Sequence, residues 1–222
     1  MWVIPPEQSA DFVHNMEQVL DVYQRVYDAE HPVICLDESP RQLLAETRTP
    51  IVTSKGETLY DYEYERKGVV QMYMLFEPLA GKRYVEIRDS HNSKEWAKII
   101  AYIAEQLYPT AQHITIVQDN LSAHKPAALY EVFEPERANQ IRKRISFVHT
   151  PKHGSWLNMA EIEFSVLTRQ GIQKRVASKE ALIRQVKSWQ EKRNSLKAPV
   201  DWQFTNEKAR VKLKRLYPNI SS

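Results

Sequence analysis

Apolar positions along this chain recur in two rhythms. Phe12, Met16, Val19, Leu20 and Tyr23 repeat on one helical face behind Ser9, which predicts an N-capped helix. The same period runs through Trp96, Ile99, Ile100, Ile103 and Leu107, predicting a helix from Ser93 that stops at Tyr108-Pro109. Short apolar, β-rich runs carry the other rhythm. Residues 33–36 are continuously apolar, as expected of a strand buried on both faces, and residues 114–117 and 145–148 are further strand candidates. Residues 69–76 and 84–87 flank Glu77-Pro78-Leu79-Ala80-Gly81 and predict a hairpin.

Between these elements the pattern is polar. Residues 39–68 carry Pro40, Pro50 and Gly56 and predict irregular chain, with Ser39-Pro40 breaking the first strand. Pro126 is placed to open a helix bearing Leu129, Tyr130 and Phe133. Further helices are expected over 159–168, 178–192 and 206–216. The order predicts an α/β fold, a mixed sheet covered by helices. Three segments are expected: a linker and N-terminal helix over 1–30, a core over 31–175, and a basic helical extension over 176–222. Pro5-Pro6 excludes regular helix at the start.

Composition narrows the function classes. The single cysteine, Cys35, excludes an internal disulfide and lies in an apolar run, which predicts a buried hydrophobe and suits a reducing cytoplasm. No apolar stretch approaches the roughly 20 residues of a membrane helix. Net charge is +3, unevenly spread. Residues 171–222 carry 13 Lys/Arg against 4 Asp/Glu, whereas residues 1–170 carry 18 against 24. An acidic body with a basic tail suits a metal site beside a polyanion-binding surface, and equally a solvated basic helix.

Candidate chemistry gathers at three acids. Asp37 and Asp119 each follow a short apolar run, at the strand ends where open α/β sheets usually place their sites. Glu161 lies in the first turn of a predicted helix behind the basic, aromatic stretch 151–158. Carboxylates from separate elements can hold two divalent cations about 3.5–4 Å apart, the arrangement that serves phosphodiester chemistry. Each acid also has a plainer reading: Asp37 and Asp119 as turn residues, Glu161 as the N3 partner of an Asn158 cap. Glu163 is turned about 200° from Glu161 and is expected on the exposed side, away from Leu157, Ala160, Phe164 and Leu167. Glu38 points to the face opposite Asp37. Gly154-Ser155-Trp156 reads as a flexible turn. Lys152, His153 and Arg169 are candidate phosphate contacts. Trp156 stacks on a base or fills the core, and His124 reaches a phosphate or water or bonds to backbone. Lys212, Lys214 and Arg215 would add nonspecific phosphate binding.

These residues resemble the signature blocks of a known family. Residues 35–38 (CLDE), 117–124 (VQDNLSAH) and 150–161 (TPKHGSWLNMAE) closely resemble those of bacterial insertion-sequence transposases of the Tc/mariner superfamily, the IS six-thirty type. The Leu-Asn-x-x-Glu element, Leu157 to Glu161, is the most specific, and the likeness runs from about Trp2 to Pro218. The resemblance implies a ribonuclease-H-like core, a DDE triad of Asp37, Asp119 and Glu161, and two Mg²⁺ or Mn²⁺ ions. It implies nicking at transposon ends, then attack of the freed 3′-hydroxyl on target DNA. DNA and a second copy of the chain are the expected partners, in bacterial, nucleoid-associated cytoplasm. Such transposases begin with helix-turn-helix modules, and the first residues here resemble the linker that follows them, so an upstream helix-turn-helix polypeptide is also expected. The alternative is a derivative without catalytic activity that binds DNA or a full-length transposase and modulates it.

Overall fold

The computed structural model describes residues 7–49, 51–59, 61–121 and 124–219; Pro5-Pro6 lies outside them. Helix α1 (Ala10–Tyr23) starts at Ser9, whose hydroxyl accepts from the Phe12 amide at 3.1 Å. Strand β1 (Val33–Glu46) is followed by a two-stranded ribbon, β2 (Ile51–Val52) and β3 (Thr58–Leu59), and then by the hairpin β4 (Tyr64–Glu77) and β5 (Lys82–Arg88). Helix α2 (Ser93–Tyr102) is capped by Asn92 and runs into a widened π turn, Ile103–Leu107. Strand β6 (Ile114–Gln118), the short α3 (Leu129–Val132), α4 (Pro135–Lys143) and β7 (Ile145–His149) follow. Helices α5 (Met159–Gln170), α6 (Lys179–Ser195) and α7 (Asn206–Lys212) complete the chain. Among the described residues no helix is long and apolar enough to cross a membrane.

Five strands form one sheet in the order β5-β4-β1-β6-β7. The β1–β6 and β6–β7 pairs are parallel, and β1–β4 and β4–β5 are antiparallel. Alternation along the strands separates two cores. Val33, Cys35, Met72, Met74 and Phe76 pack with α1, α5, α6 and α7, while Ile34, Leu36, Tyr73 and Leu75 pack with α2, α3 and α4. The expected mixed sheet flanked by helices is therefore present.

Three local expectations were wrong. Pro40 does not break β1, and most of the supposedly irregular stretch is strand: β1 continues to Glu46 and β4 begins at Tyr64, paired with it. Pairing to β6 covers only residues 33–35 of β1, so its far half is a sheet edge on that side, where a proline lacking N–H is tolerated. Residues 172–176 cover that edge, with the Leu44 amide donating to the Val176 carbonyl at 2.8 Å and the Arg41 guanidinium to the Gln173 carbonyl at 2.9 Å. The Pro126 helix is a single 3-10 turn plus α3, and Pro135 opens a separate helix, α4.

The basic C-terminal stretch is part of the packing. Leu182, Val186 and Trp189 of α6, with Ala209 and Leu216, are buried in the core on the α1 side of the sheet. Arg210 pairs with Glu17 of α1, and Tyr217 donates to the same carboxylate at 2.8 Å.

Candidate functional site

Register brings the first two acids together. Cys35 of β1 lies opposite Val117 of β6 in parallel pairing, so continuing both chains by two residues sets Asp37 abreast of Asp119. By alternation Asp37 shares the face of Val33 and Cys35, the side on which α5 packs. Asn158 fixes α5 there. Its side-chain oxygen accepts from the Ala160 amide at 3.1 Å, capping the helix, and its side-chain nitrogen donates to the Leu36 carbonyl at 2.9 Å. The residue just before Asp37 is thus tied to the helix that presents Glu161 one turn later. Tyr23 anchors the same junction by donating to the Leu157 carbonyl at 2.6 Å.

The electrostatics of Asp37 register this convergence. Burial raises its pKa first, a hydrogen bond from the Glu38 amide opposes the rise, and the charges of Asp119, Glu161 and Glu38 add to it, giving about 7. A carboxyl raised by burial among like charges is the donor chemistry that a divalent cation relieves. All three acids offer hard oxygen ligands, as Mg²⁺ or Mn²⁺ prefers. Among the described residues no three acidic, histidine or cysteine groups already stand close enough to enclose a cation. Asp119 and Glu161 are the partly solvated members and would have to close on Asp37.

His124 is committed elsewhere than expected. One ring nitrogen, Nδ1, is 2.9 Å from Asp119 Oδ1, and the other, Nε2, is 3.0 Å from Glu38 Oε2. Its ring lies nearly parallel to that of Trp96, with centroids 5.7 Å apart, and Trp96 Nε1 donates to the Gln118 side chain at 3.0 Å. Burial alone would push the imidazole down, but its hydrogen bonds to the two carboxylates and their charges outweigh that and raise it to about 9. Both nitrogens of His124 are taken and its side chain is 3% exposed, so it offers neither to a phosphate. It orients Asp119 instead. Sequence reasoning passed over Glu38, because only the fold reveals that His124 lies on its face. His149, also not singled out, ends β7 opposite Gln118, and burial lowers its pKa while the nearby Asp119 charge opposes that fall.

A cleft of about 800 Å³ opens beside Asp119. Lys152 and His153 line it with Asn120, together with Ser9, Asp11 and Asn15 from the cap and first turns of α1. His153 has φ of 64°, an unusual backbone conformation for a non-glycine residue, at the mouth of the site. The Gly154 turn is tight, not flexible: a Cβ there would meet the Pro151 ring at 2.5 Å.

Other expectations change. Trp156 is 8% exposed and packs edge-on against Phe204 at 6.0 Å, so it fills core and cannot stack on a base. Glu163 is not exposed; it is 3% exposed and accepts two hydrogen bonds from Arg83, at 2.8 and 3.0 Å. Helical rotation separated it correctly from Glu161, but a second packed face, against β5, was not legible. Arg169 is in the last turn of α5, about 12 Å along the axis from Glu161. Lys212, Lys214 and Arg215 are exposed on the C-terminal segment. That segment flanks the cleft, since the Ser9 amide donates to the Leu216 carbonyl at 3.0 Å.

Comparison with known proteins places this geometry. The structure is similar to the Mos1 mariner paired-end complex with manganese, at 13% identity and a TM-score of 0.63, covering 99% of this chain and 67% of that one. The corresponding magnesium complex gives 11% identity and a TM-score of 0.62, covering 99% and 66%. The Mos1 strand-transfer complex gives 12% and 0.57, covering 96% and 62%. The chain thus spans about two thirds of the length of these relatives. At such identities the likeness shows the fold, which is ribonuclease-H-like. No curated protein sequence matches. Residues 32–183 match the family model described as DDE superfamily endonuclease, well over half of the chain, and the chain belongs to that family.

Proposed function

We propose that this chain is the catalytic part of an insertion-sequence transposase, of the IS six-thirty type within the Tc/mariner superfamily, that cuts DNA at transposon ends and transfers the freed strand. Asp37, Asp119 and Glu161 are its metal ligands and hold two Mg²⁺ or Mn²⁺ ions. Bound there, the cations supply charge neutralisation at the scissile phosphate and activation of an oxygen nucleophile. The observation that carries this reading is the convergence on Asp37, half-buried two residues past its pairing with the Asp119 strand and raised by the charges of both other acids. The family membership and the Mos1 structures, described as paired-end and strand-transfer complexes, support it.

The chain's own residues have separable tasks. Asn158 holds Glu161 in register with Asp37, and His124 steadies Asp119. Lys152 and His153 line the cleft next to Asp119 and bind the DNA backbone there. In the first step a water oxygen bonds to phosphorus as the phosphorus–3′-oxygen bond breaks. The leaving oxygen takes up a proton, giving a 3′-hydroxyl and a 5′-phosphate. In the second step that 3′-hydroxyl oxygen bonds to a target phosphorus as the target's phosphorus–3′-oxygen bond breaks, and the leaving oxygen takes up the proton, with no protein–DNA covalent bond. DNA ends and a second copy of the chain are the partners this requires.

The test is nicking of a labelled duplex with and without Mg²⁺ or Mn²⁺, comparing wild type with Asp119→Ala. Metal-dependent nicking lost in the variant is the expected result. No nicking by well-folded wild type favours the derivative without catalytic activity, and equal nicking by the variant rejects Asp119 as a metal ligand.

A further inference from the structure

A second cleft, of about 560 Å³, lies between the end of α5 and the outer face of α6. Its floor is built closely. Gly171 crosses Trp189 so tightly that a Cβ would meet the indole at 2.6 Å, and Trp189 is itself 6% exposed. The following loop is pinned to α6 by a reciprocal glutamine contact. Gln185 Oε1 accepts from the Gln173 amide at 3.0 Å, and Gln185 Nε2 donates to Gln173 Oε1 at 3.2 Å. The cleft is therefore preformed.

Its charge is of one sign. Arg169 contributes from α5, and Arg184 and Lys192 from α6, while no carboxylate lines the cleft. None of the three forms a salt bridge among the described residues, although Glu180, one turn before Arg184, feels its field. The cleft between β5 and α2 makes the contrast. There Glu86 and Glu105 neutralise Arg88 and Arg137, leaving little field for an outside anion. Arg184 and Lys192 are eight residues apart, two turns and about 12 Å along α6. At about 3.4 Å of rise per nucleotide, that spans three to four steps of one DNA strand. A single small anion cannot contact both ends of such a row.

We propose that the Arg169–Arg184–Lys192 cleft is a second DNA-backbone site that holds duplex already passing the acid cluster. It rests on the reading of this chain as a DNA-cutting enzyme, and it assigns Arg184 and Lys192 a role apart from cleavage. Arg169 shares α5 with Glu161, so one rigid helix spaces the two sites. Contact there is with phosphates, so it adds affinity and alignment without base preference.

The experiment is duplex binding by the full chain, without divalent metal, across a salt series. The slope of log affinity against log salt falls by about 0.9 for each phosphate that the protein no longer neutralises. Arg184→Gln/Lys192→Gln is expected to flatten it by about 1.8. Arg184→Lys/Lys192→Arg, which keeps both charges, is expected to keep the slope. Lys94→Gln/Lys98→Gln on α2, across the sheet, removes the same charge and is expected to leave the slope in place. An unchanged slope in the first variant, or equal flattening in the α2 control, overturns the cleft assignment. Inorganic phosphate that binds through Arg184 and Lys192 without displacing duplex, the slope being unchanged in the first variant, also overturns it and indicates a small-anion pocket. Asp119→Ala separates the two proposals: the cleft requires that it bind duplex with the wild-type slope, even though nicking is lost. Duplex binding absent from folded wild type overturns both.

Discussion

Two glutamates on α5, two residues apart, live in opposite surroundings. Glu163 is buried and gripped by the Arg83 guanidinium, which also donates to the Gly81 and Ala198 carbonyls. Glu161 is exposed in the first turn, and its charge is felt by Asp37. The difference teaches that on one helix a carboxylate supports the fold when its partner is fixed, and is left open to an outside ligand, as proposed for Glu161, when no partner is fixed beside it. The N-terminal position of Glu161 keeps it beside the positive end of the helix dipole. Two residues further on, rotation carries Glu163 over β5 and its arginine.

The sharpest way to break this contrast is Glu161→Gln. Metal-dependent nicking is expected to fall to background while the urea midpoint stays with wild type. A destabilised protein would show that Glu161 too is structural. Glu163→Gln should do the reverse. Leaving Arg83 buried and unpaired is expected to cost about 3–5 kcal/mol of unfolding free energy. Adding Arg83→Met to that variant should recover part of the loss, and urea titration measures both. His124→Ala is expected to weaken Mn²⁺ binding about 10–100-fold, as loss of an outer partner of a metal ligand does. Calorimetry of Mn²⁺ binding checks it. Asn158→Asp keeps the cap oxygen but removes the donor to Leu36, and is expected to cost about 1–3 kcal/mol of unfolding free energy, read by urea titration, and to reduce nicking as well.

A third glutamate gives the smallest effect. Glu17 is held below the ordinary carboxylate range, first by its hydrogen bond from Arg210 and then by one from Tyr217, with burial opposing. A lowered carboxyl contributes stability above its unfolded pKa and loses it as pH falls through the folded value. Glu17→Gln should therefore cost less than about 1 kcal/mol near neutrality. That difference is expected to vanish in acid, when urea midpoints are compared at the two pH values.

The sequence was most readable where burial is two-sided. Residues 33–36 and 114–117 read as strands because both faces are packed, and register then aligned Asp37 with Asp119. It was least readable where one side of a strand is solvent. The far half of β1 is mostly half-buried and sets Arg41 and Gln42 beside Leu43 and Leu44, and residues 64–68 of β4 are exposed and largely polar, so no alternating signal survived. At the candidate site, the spacing of Leu157, Asn158 and Glu161 marked a helix start. That Asn158 also grips the Leu36 carbonyl is a contact across the fold that no local pattern encodes. The same holds for His124, whose Glu38 partner lies in β1, and for Glu163, whose arginine lies in β5.

Cys35 has a use outside this chemistry. It is fully buried, hydrogen-bonded to the Tyr23 hydroxyl, and burial holds its thiol up at about 12. A thiol kept protonated and out of solvent does not react with maleimides or disulfide reagents. The chain is thus already a silent background for site-specific labelling. One introduced cysteine, such as Lys152→Cys in the cleft or Lys192→Cys beside α5, would carry a fluorophore or a DNA cross-linker with no native thiol to remove.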